Sequence, residues 1–339
     1  MDNIARDPYM SALVLDAESG KVLFDDNAAA TVYPASVLKM MDMLVILELI
    51  EQGKLRLDEM VQVTKEAARM GGSQVYLDPK EQFTVEDLLY ALAVQSANDA
   101  AVALAVHVAG STEAFVALMN RRATELGMKD TRFSSVHGLP PSVGQKPDET
   151  TAHDLALLSR ELIKKPEIFE YTSTRERSFR EGKFILRSHN HLLAQVEGCD
   201  GFKTGYFQAA GFSIVATAKR DGVRIIAIVM GSKDRKVRDA KAKELLAKGF
   251  VLAPPKPIEV LAVNKPVVTQ EKVEKKEVAV SPESSVVLPP ESREEVADSS
   301  GGWGMFFWGL LTGLILSGIL VVFISRKRSR KSLNYRSYL

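Results

Sequence analysis

The sequence predicts an α+β domain built around one antiparallel sheet. Residues 9–24 alternate between apolar and polar side chains, and so do several segments after residue 175, whereas the residues between them follow a helical period. Both ends of the folded region therefore supply strands, and the middle supplies helices. This arrangement favours a sheet with a helical insert and a cleft between the two.

The elements of the first half follow from turn and capping residues. Residues 9–24 are expected to form a hairpin that turns at residues 18–20. Thr84 and Thr151 are suited to begin helices, because an aspartate follows each of them three residues later. Gly110 stands where a helix should stop. The predicted helices are 38–52, 85–94, 98–108, 112–126 and 151–164.

In the second half of the folded region, apolar residues recur with a period of two, which is typical of β-strands. Asp221-Gly222 is a strong signal for a hairpin turn between two strands. A final amphipathic helix is expected over residues 237–250, and it closes the domain. The predicted strands are 178–186, 201–206, 211–219 and 223–230.

Composition excludes two classes of function. The 44 Lys and Arg residues nearly balance the 43 Asp and Glu residues, so no overall field attracts the chain to nucleic acid. The single Cys199 cannot close an internal disulfide, and the five His residues show no zinc-binding spacing. We therefore expect neither a nucleic-acid partner nor a metal site.

Three short motifs carry the candidate chemistry. Ser36-Val37-Leu38-Lys39 is the single Ser-x-x-Lys of the chain, and its spacing places both side chains on one helix face. A serine hydroxyl needs a base, and a lysine can be that base when its pKa is lowered. Ser96-Ala97-Asn98 falls at a break between two predicted helices. Lys203-Thr204-Gly205 lies on a predicted strand.

Each motif alone also has a structural interpretation. Ser36 and Lys39 can be an ordinary serine at a helix start with a lysine after it, and Ser96 can be a helix cap. Lys203 can be a surface lysine on an edge strand whose glycine permits a bulge. The order and spacing of the three motifs together are what make them specific.

In that order the motifs are the signature of penicillin-binding proteins and serine β-lactamases. Residues 9–250 resemble in particular the low-molecular-weight penicillin-binding proteins of the serine D-alanyl-D-alanine carboxypeptidase family. The resemblance implies the fold of the penicillin-binding transpeptidases and β-lactamases, which is an antiparallel sheet flanked by helices with a helical subdomain. The stretches that carry it are PASVLKM, GGSQVYL, SANDAA, HGLP, TTAHDLALLSREL and GFKTGYFQAAGFSIVATAKRDG.

The resemblance also implies catalytic roles. Ser36 would be the acylated nucleophile, Lys39 its general base and Ser96 the relay of a proton to the departing D-alanine. The backbone N–H groups of Ser36 and Tyr206 would form an oxyanion hole, in which each donor is worth about 3 kcal/mol in the transition state. No cofactor is implied.

Further residues would bind the substrate, which is a cell-wall peptide ending in D-Ala-D-Ala, and β-lactam antibiotics would act as covalent inhibitors. Asn98 would bind the peptide amide, Lys203 would add positive potential, and Thr204 would hold the terminal carboxylate. Arg238 would assist that carboxylate, or it is a solvated charge on the closing helix. The implied substrate-binding residues are Asn98, Lys203, Thr204, Gly205, Tyr206 and Arg238.

The chain departs from many relatives after residue 253, where the predicted catalytic domain of residues 1–253 ends. Residues 254–302 are a polar linker in composition, although Val-rich alternation over 258–280 is compatible with a small β remnant. Residues 303–325 carry no charge and are long enough to span a bilayer as one helix. A basic tail, residues 326–339, follows.

The basic residues after the apolar stretch predict a cytoplasmic C-terminus, which places the catalytic domain on the extracytoplasmic side of a bacterial cell membrane. Export needs a signal, and residues 1–8 lack one, so we expect a leader before Met1. Two other functions stay open. One is a serine β-lactamase, and the other is a catalytically idle antibiotic-sensing or wall-binding module.

Overall fold

The computed structural model describes residues 1–253 of the 339-residue chain. The predicted linker with its β remnant, the membrane-spanning helix and the basic tail lie outside the described residues. The described strands are β1 (Ser11–Asp16), β2 (Val22–Asp26), β3 (Met60–Gln62), β4 (Gln82–Thr84), β5 (Glu176–Phe179), β6 (Phe184–Arg187), β7 (Cys199–Phe207), β8 (Gly211–Arg220) and β9 (Val223–Ser232). The described helices are α1 (Lys39–Glu51), α2 (Lys65–Ala68), α3 (Val85–Ala93), α4 (Asn98–Ala109), α5 (Thr112–Glu125), α6 (Ala152–Ile163), α7 (Ile168–Thr172), α8 (Leu192–Gln195) and α9 (Arg235–Leu252).

The main sheet joins the two ends of the domain, as the sequence predicts. Its five strands are antiparallel in the order β2-β1-β9-β8-β7, and β1 pairs with β9 in a register that sets Leu13 opposite Ile228. Asp221 and Gly222 both have positive φ at the β8–β9 turn, which confirms the predicted hairpin. Strand β7 is an edge strand of this sheet, so one of its sides is open to the cleft.

The sheet is the middle layer of three. Its outer face packs on α9 through small and β-branched residues such as Val14, Ala216 and Ile225. Its inner face packs on the helical insert, where Leu13, Ile226 and Ile228 join the same buried cluster as α1, α3 and α4. Every strand residue of β1 is buried, as expected for a strand covered on both faces.

The helices begin where the capping residues predict. The Thr84 hydroxyl accepts a hydrogen bond from Asp87 N at 3.1 Å, and Thr151 accepts one from Asp154 N at 3.1 Å. Gly110 adopts a φ of +82° at the end of α4. Helices α1, α3, α4, α5 and α6 therefore match the predicted positions within about two residues.

One predicted strand is wrong. Residues 178–186 were expected to form a single strand, but they belong to a separate hairpin of β5 and β6. Arg180 and Glu181 have φ values of +51° and +54°, which turn the chain. The Arg180 guanidinium fixes this turn, because it donates to the carboxylate of Glu81 and to the carbonyl of Tyr76.

Within residues 1–253, no single helix is long and apolar enough to cross a membrane. By length and composition alone, α4 and α5 meet that test only as a pair, and they are bent by 85°.

Candidate active site

Ser36 lies in a single 3₁₀ turn, Ala35–Leu38, that leads directly into α1. The chain enters this turn through Ala35, whose φ of +47° is uncommon for a residue with a side chain. Gly138 packs so closely on the turn that a Cβ at that position would clash with the Ala35 carbonyl. The turn that carries the half-buried Ser36 is therefore held in place by tertiary contacts.

The Lys39 side chain is fully buried and lies next to the Ser36 hydroxyl. Its Nζ is 3.0 Å from Ser36 Oγ, 2.6 Å from Asn98 Oδ1 and 3.0 Å from the carbonyl oxygen of His137. These contacts place the first predicted motif and the second one in a single hydrogen-bonded group. The spacing of three residues thus places Ser36 and Lys39 on one helix face, as the sequence predicts.

Burial lowers the pKa of Lys39 to about 7, against the opposing effect of the carboxyl groups of Asp42, Asp99 and Asp148. A substantial share of Lys39 is then neutral near neutral pH. The ring of His137 is neutral as well, because burial and the nearby Lys39 lower its pKa to about 4.

The second motif occupies the break between α3 and α4. Ser96 is buried and has a φ of +59°, a left-handed conformation that costs about 1 kcal/mol or more in a residue other than glycine. Among residues 1–253 its hydroxyl has no hydrogen-bond partner, so Ser96 does not act as the helix cap of the alternative interpretation. The Asn98 amide donates to the Gly71 carbonyl at 2.8 Å and accepts from Lys39.

The third motif lies on β7, next to the turn that carries Ser36. Lys203 is only 2% exposed, so it is not the surface lysine of the alternative interpretation. Its pKa is well below the ordinary value because of burial and because of the neighbouring Lys39 and Arg238. At Gly205 the strand touches the turn, since a Cβ there would lie 2.6 Å from Pro34 O and 3.0 Å from Ser36 N.

A cleft of about 350 Å³ opens between these elements. Seven of the nine predicted site residues line it, while Lys39 and Lys203 are buried beside them. None of the lining residues in the described part of the chain is an aspartate or a glutamate. The lining residues with predicted roles are Ser36, Ser96, Asn98, Thr204, Gly205, Tyr206 and Arg238.

Arg238 is only 2% exposed, which excludes a solvated charge on the closing helix. Its guanidinium donates to Asp239 Oδ1 at 2.8 Å and to the Ser213 carbonyl at 3.0 Å. His191 also lies within 3.4 Å of the Asp239 carboxylate. Asp239 therefore holds the Arg238 side chain at the rim of the cleft.

Several supporting residues were not identified from the sequence. Asp148 accepts hydrogen bonds from the backbone N–H groups of Ser134 and Ser135, and so fixes the loop whose His137 carbonyl contacts Lys39. Gly138, which packs on the Ala35 carbonyl, was recognised in the sequence only as part of the stretch HGLP. No local pattern reveals these contacts, because Asp148 bonds to residues 13 and 14 positions before it and the His137 carbonyl meets a lysine 98 positions away.

The sequence model of the peptidase S11 family, described as D-alanyl-D-alanine carboxypeptidase, matches residues 8–234. The chain belongs to this family. It is 39% identical over 243 residues to the D-alanyl-D-alanine carboxypeptidase DacF of Bacillus subtilis, which covers 71% of this chain and 61% of the relative. It is 39% identical over 246 residues to DacC of Escherichia coli, which covers 70% of this chain and 60% of the relative. The chain thus spans about three fifths of the length of these curated relatives.

Solved structures of family members agree with the fold. Penicillin-binding protein D2 of Listeria monocytogenes, in its ampicillin-bound form, has a TM-score of 0.66 at 34% identity and covers 72% of this chain and 97% of that one. Penicillin-binding protein 6B of Escherichia coli has a TM-score of 0.67 at 34% identity, and the match covers 71% of this chain and 77% of that one. The α+β architecture of a penicillin-binding protein is therefore confirmed for residues 1–253.

Proposed function

We propose that this family member is a serine D-Ala-D-Ala carboxypeptidase that works through an acyl-enzyme on Ser36 and is inhibited by β-lactams. One observation carries the proposal, and it is the set of three contacts around Lys39 Nζ. Two partners, Asn98 Oδ1 and the His137 carbonyl, can only accept hydrogen bonds. The third partner, the Ser36 hydroxyl, can also donate.

A neutral amine has two N–H groups and one lone pair, and these match the three partners of Lys39. Its N–H groups are used by Asn98 and His137, which leaves the lone pair to accept the proton of Ser36. Burial supplies the neutral form, since it lowers the pKa of Lys39 to about 7. The geometry therefore supports Lys39 as the general base for Ser36.

The reaction then follows from the positions of the groups. Ser36 Oγ attacks the carbonyl carbon of the D-Ala-D-Ala peptide bond while its proton passes to Lys39 Nζ. The oxyanion is stabilised by the N–H groups of Ser36 and Tyr206, and the proton reaches the leaving amine through Ser96, whose hydroxyl has no other partner within residues 1–253. D-Alanine departs, and water hydrolyses the ester.

Substrate binding is proposed to use the open edge of β7. A peptide can add to this edge as a further strand, with its terminal carboxylate near Thr204 and Arg238, both of which line the cleft. That carboxylate would also favour the ammonium form of Lys203. Asn98 would bind the substrate amide through the remaining acceptor capacity of its oxygen.

The main alternative, a β-lactamase, needs a residue that activates water against the penicilloyl ester. The sequence between Ser96 and Lys203 lacks a Glu-x-x-Leu-Asn segment, and Glu149 does not line the cleft but bridges to Arg132 through its backbone. We therefore expect the penicilloyl ester to persist. The retained Ser36 and Lys39 geometry also argues against an idle binding module.

Two assays on the purified full chain separate these functions. The chain should release D-alanine from a D-Ala-D-Ala peptide over many turnovers and hydrolyse penicillin only very slowly. The Ser36→Ala variant is the control for both activities. Rapid penicillin hydrolysis without D-alanine release would favour the β-lactamase instead, and stable binding of both ligands without any product would favour the idle module.

We also propose that residues 303–325 anchor the protein in a bacterial cell membrane with its catalytic domain on the extracytoplasmic side. The charge-free stretch and the basic residues 326–331 that follow it support this topology. Protease added to spheroplasts should remove the catalytic domain and leave a C-terminal tag protected. Release of the whole protein by a high-salt wash would contradict a membrane-spanning anchor.

A further inference from the structure

Arg235 is a cation at the cleft to which the proposed reaction assigns no role. It is exposed on the first turn of α9, and it lines the cleft together with Arg238. Arg238 is already bound to Asp239 and to the Ser213 carbonyl. The Arg235 guanidinium, by contrast, forms no hydrogen bond or ion pair with any of residues 1–253. It is therefore free to bind a group of the substrate.

The acids next to Arg235 in the sequence are engaged elsewhere. Asp234 turns its carboxylate to the start of α9, where Oδ1 accepts from Lys236 N at 2.7 Å and from Val237 N at 3.0 Å. Asp239 binds Arg238. The described lining of the cleft contains no aspartate or glutamate. No carboxylate in this lining thus competes with an anionic substrate for the Arg235 guanidinium.

The direction of α9 places Arg235 at one end of the cleft. Near the start of the helix Arg238 donates to the Ser213 carbonyl, and further along Gly249 packs on Ile225. The end of β9 lies beside Ser213, whereas Ile225 is near the start of that strand. Helix α9 therefore runs back along β9, and Arg235, one turn before Arg238, lies about 4.5 Å closer to the end of β9.

The same end of the cleft is the one toward which β7 runs from Thr204 to Tyr206. Strands β7 and β9 both pair with β8 in antiparallel fashion, so they point the same way. Through β8, Tyr206 is level with Ser232, the last residue of β9. Arg235 therefore lies beyond Arg238 in the direction from Thr204 to Tyr206.

In the proposed complex this end of the cleft receives the residues that precede the scissile bond. The terminal carboxylate lies near Thr204 and Arg238, and the scissile carbonyl lies at the N–H of Tyr206. A strand advances about 3.4 Å per residue, so the residue before D-Ala-D-Ala lies past Tyr206, on the side of Arg235. The long side chain of Arg235 is then within reach of the side chain of that residue.

The ring of Tyr206 supplies an apolar surface at the same end of the cleft. Tyr206 is 54% exposed, and its ring stacks on Phe212 with the centroids 4.0 Å apart. Both residues line the cleft. The stacked pair holds the ring in place and leaves it open to methylene groups of a ligand. An aliphatic side chain that ends in a carboxylate fits the ring and the guanidinium together.

We propose that Arg235 is a specificity-determining residue that binds an acidic side chain on the substrate residue immediately before D-Ala-D-Ala. The guanidinium would pair with the carboxylate through two parallel hydrogen bonds, and the methylene groups would lie on the Tyr206 ring. This inference rests on the proposed function, because it extends the substrate site of the same reaction.

The test compares two peptides that differ only in this charge, acetyl-glutamyl-D-Ala-D-Ala and acetyl-glutaminyl-D-Ala-D-Ala. The measured quantity is the ratio of their kcat/KM values for release of D-alanine by the purified full chain. Arg235 is exposed, so water screens the pair, and we expect the wild type to prefer the glutamyl peptide by about three- to fivefold. In Arg235→Gln this ratio should fall to about one.

Lys236→Gln is the matched control, because Lys236 is the next residue and is also an exposed cation, but it does not line the cleft. This variant has the same net charge as Arg235→Gln, and it should keep the wild-type ratio. Arg235→Glu should reverse the selectivity, so that a lysyl peptide reacts faster than the glutamyl peptide. Such a reversal is a gain of activity, which damage to the fold would not produce.

The outcomes separate this inference from the proposed function. A wild type that releases D-alanine from both peptides at equal kcat/KM would overturn the role of Arg235 alone. An equal loss for both peptides in Arg235→Gln would also overturn it, because Arg235 would then act on the terminal carboxylate that the peptides share. A wild type that releases no D-alanine from either peptide would overturn the proposed function itself. A ratio lost in Arg235→Gln and kept in Lys236→Gln would establish the role of Arg235.

Discussion

Replacing Gly205 by alanine should separate the strand that binds the substrate from the turn that carries the nucleophile. Gly205 has no positive φ, so its backbone can accept alanine without strain. The substitution would instead cause a steric clash, because the new Cβ would lie 2.6 Å from Pro34 O and 3.0 Å from the backbone nitrogens of Ser36 and Val37. All three atoms belong to the backbone, so no side chain can move aside.

The size of the effect follows from these distances. Ordinary van der Waals contact begins at 3.4 Å, so the strand and the turn must separate by about 0.8 Å at the Pro34 carbonyl. A misplacement of about 1 Å in an active site costs about 100-fold in rate. We therefore expect the acylation rate of Gly205→Ala to fall by about 10- to 100-fold, with a loss of stability of about 1–3 kcal/mol from overpacking.

The assay is the second-order rate of labelling by a fluorescent penicillin, combined with thermal unfolding. Gly71→Ala is the matched control, because a Cβ at Gly71 meets nothing within 4 Å, although the Gly71 carbonyl accepts from Asn98 in the same site. The control should label at nearly the wild-type rate. Equal labelling rates for the two variants, both folded, would refute the idea that close packing of Gly205 on the turn positions Ser36.

Two further predictions concern the lysines. Lys203→Ala should lower kcat/KM for a D-Ala-D-Ala peptide by about tenfold or more, because it removes positive potential where the carboxylate docks. Lys203→Arg should reduce kcat/KM less, because it keeps the charge. Unchanged steady-state kinetics in Lys203→Ala would contradict this role. Acylation of the wild type should be half-maximal near pH 7, because Lys39 is a base only when it is neutral and its pKa is lowered to about 7. The rate should rise with pH through this value, and stopped-flow labelling that is flat across about pH 6–8 would contradict it.

The architecture could be predicted where local chemistry determines it. Thr84 and Thr151 cap their helices as the sequence indicates, because a hydroxyl followed three residues later by a free N–H is a local arrangement. The Asp221-Gly222 turn is local in the same way. The sequence also indicated that one sheet takes strands from both ends of the domain, because the alternation of apolar and polar residues occurs at both ends, and β1 does pair with β9.

Other features depend on long-range packing and could not be predicted. The turn of the β5–β6 hairpin is tied to the rest of the domain by Arg180, which bonds to Glu81, a residue 99 positions earlier. Asp42 on α1 is only 2% exposed, although nothing in its local sequence indicates that this acid is buried. Arg238 was left open between two interpretations, because only the tertiary fold shows that Asp239 and Ser213 hold it inside.

The proposed reaction depends above all on Ser36 as the nucleophile that Lys39 activates. The most direct measurement is mass spectrometry of proteolytic peptides from the full chain after brief treatment with penicillin. We expect one peptide to carry the penicilloyl mass, fragmentation to locate the adduct on Ser36, and the Ser36→Ala variant to carry none. An adduct on any other residue, or an undiminished yield in Ser36→Ala, would contradict the account.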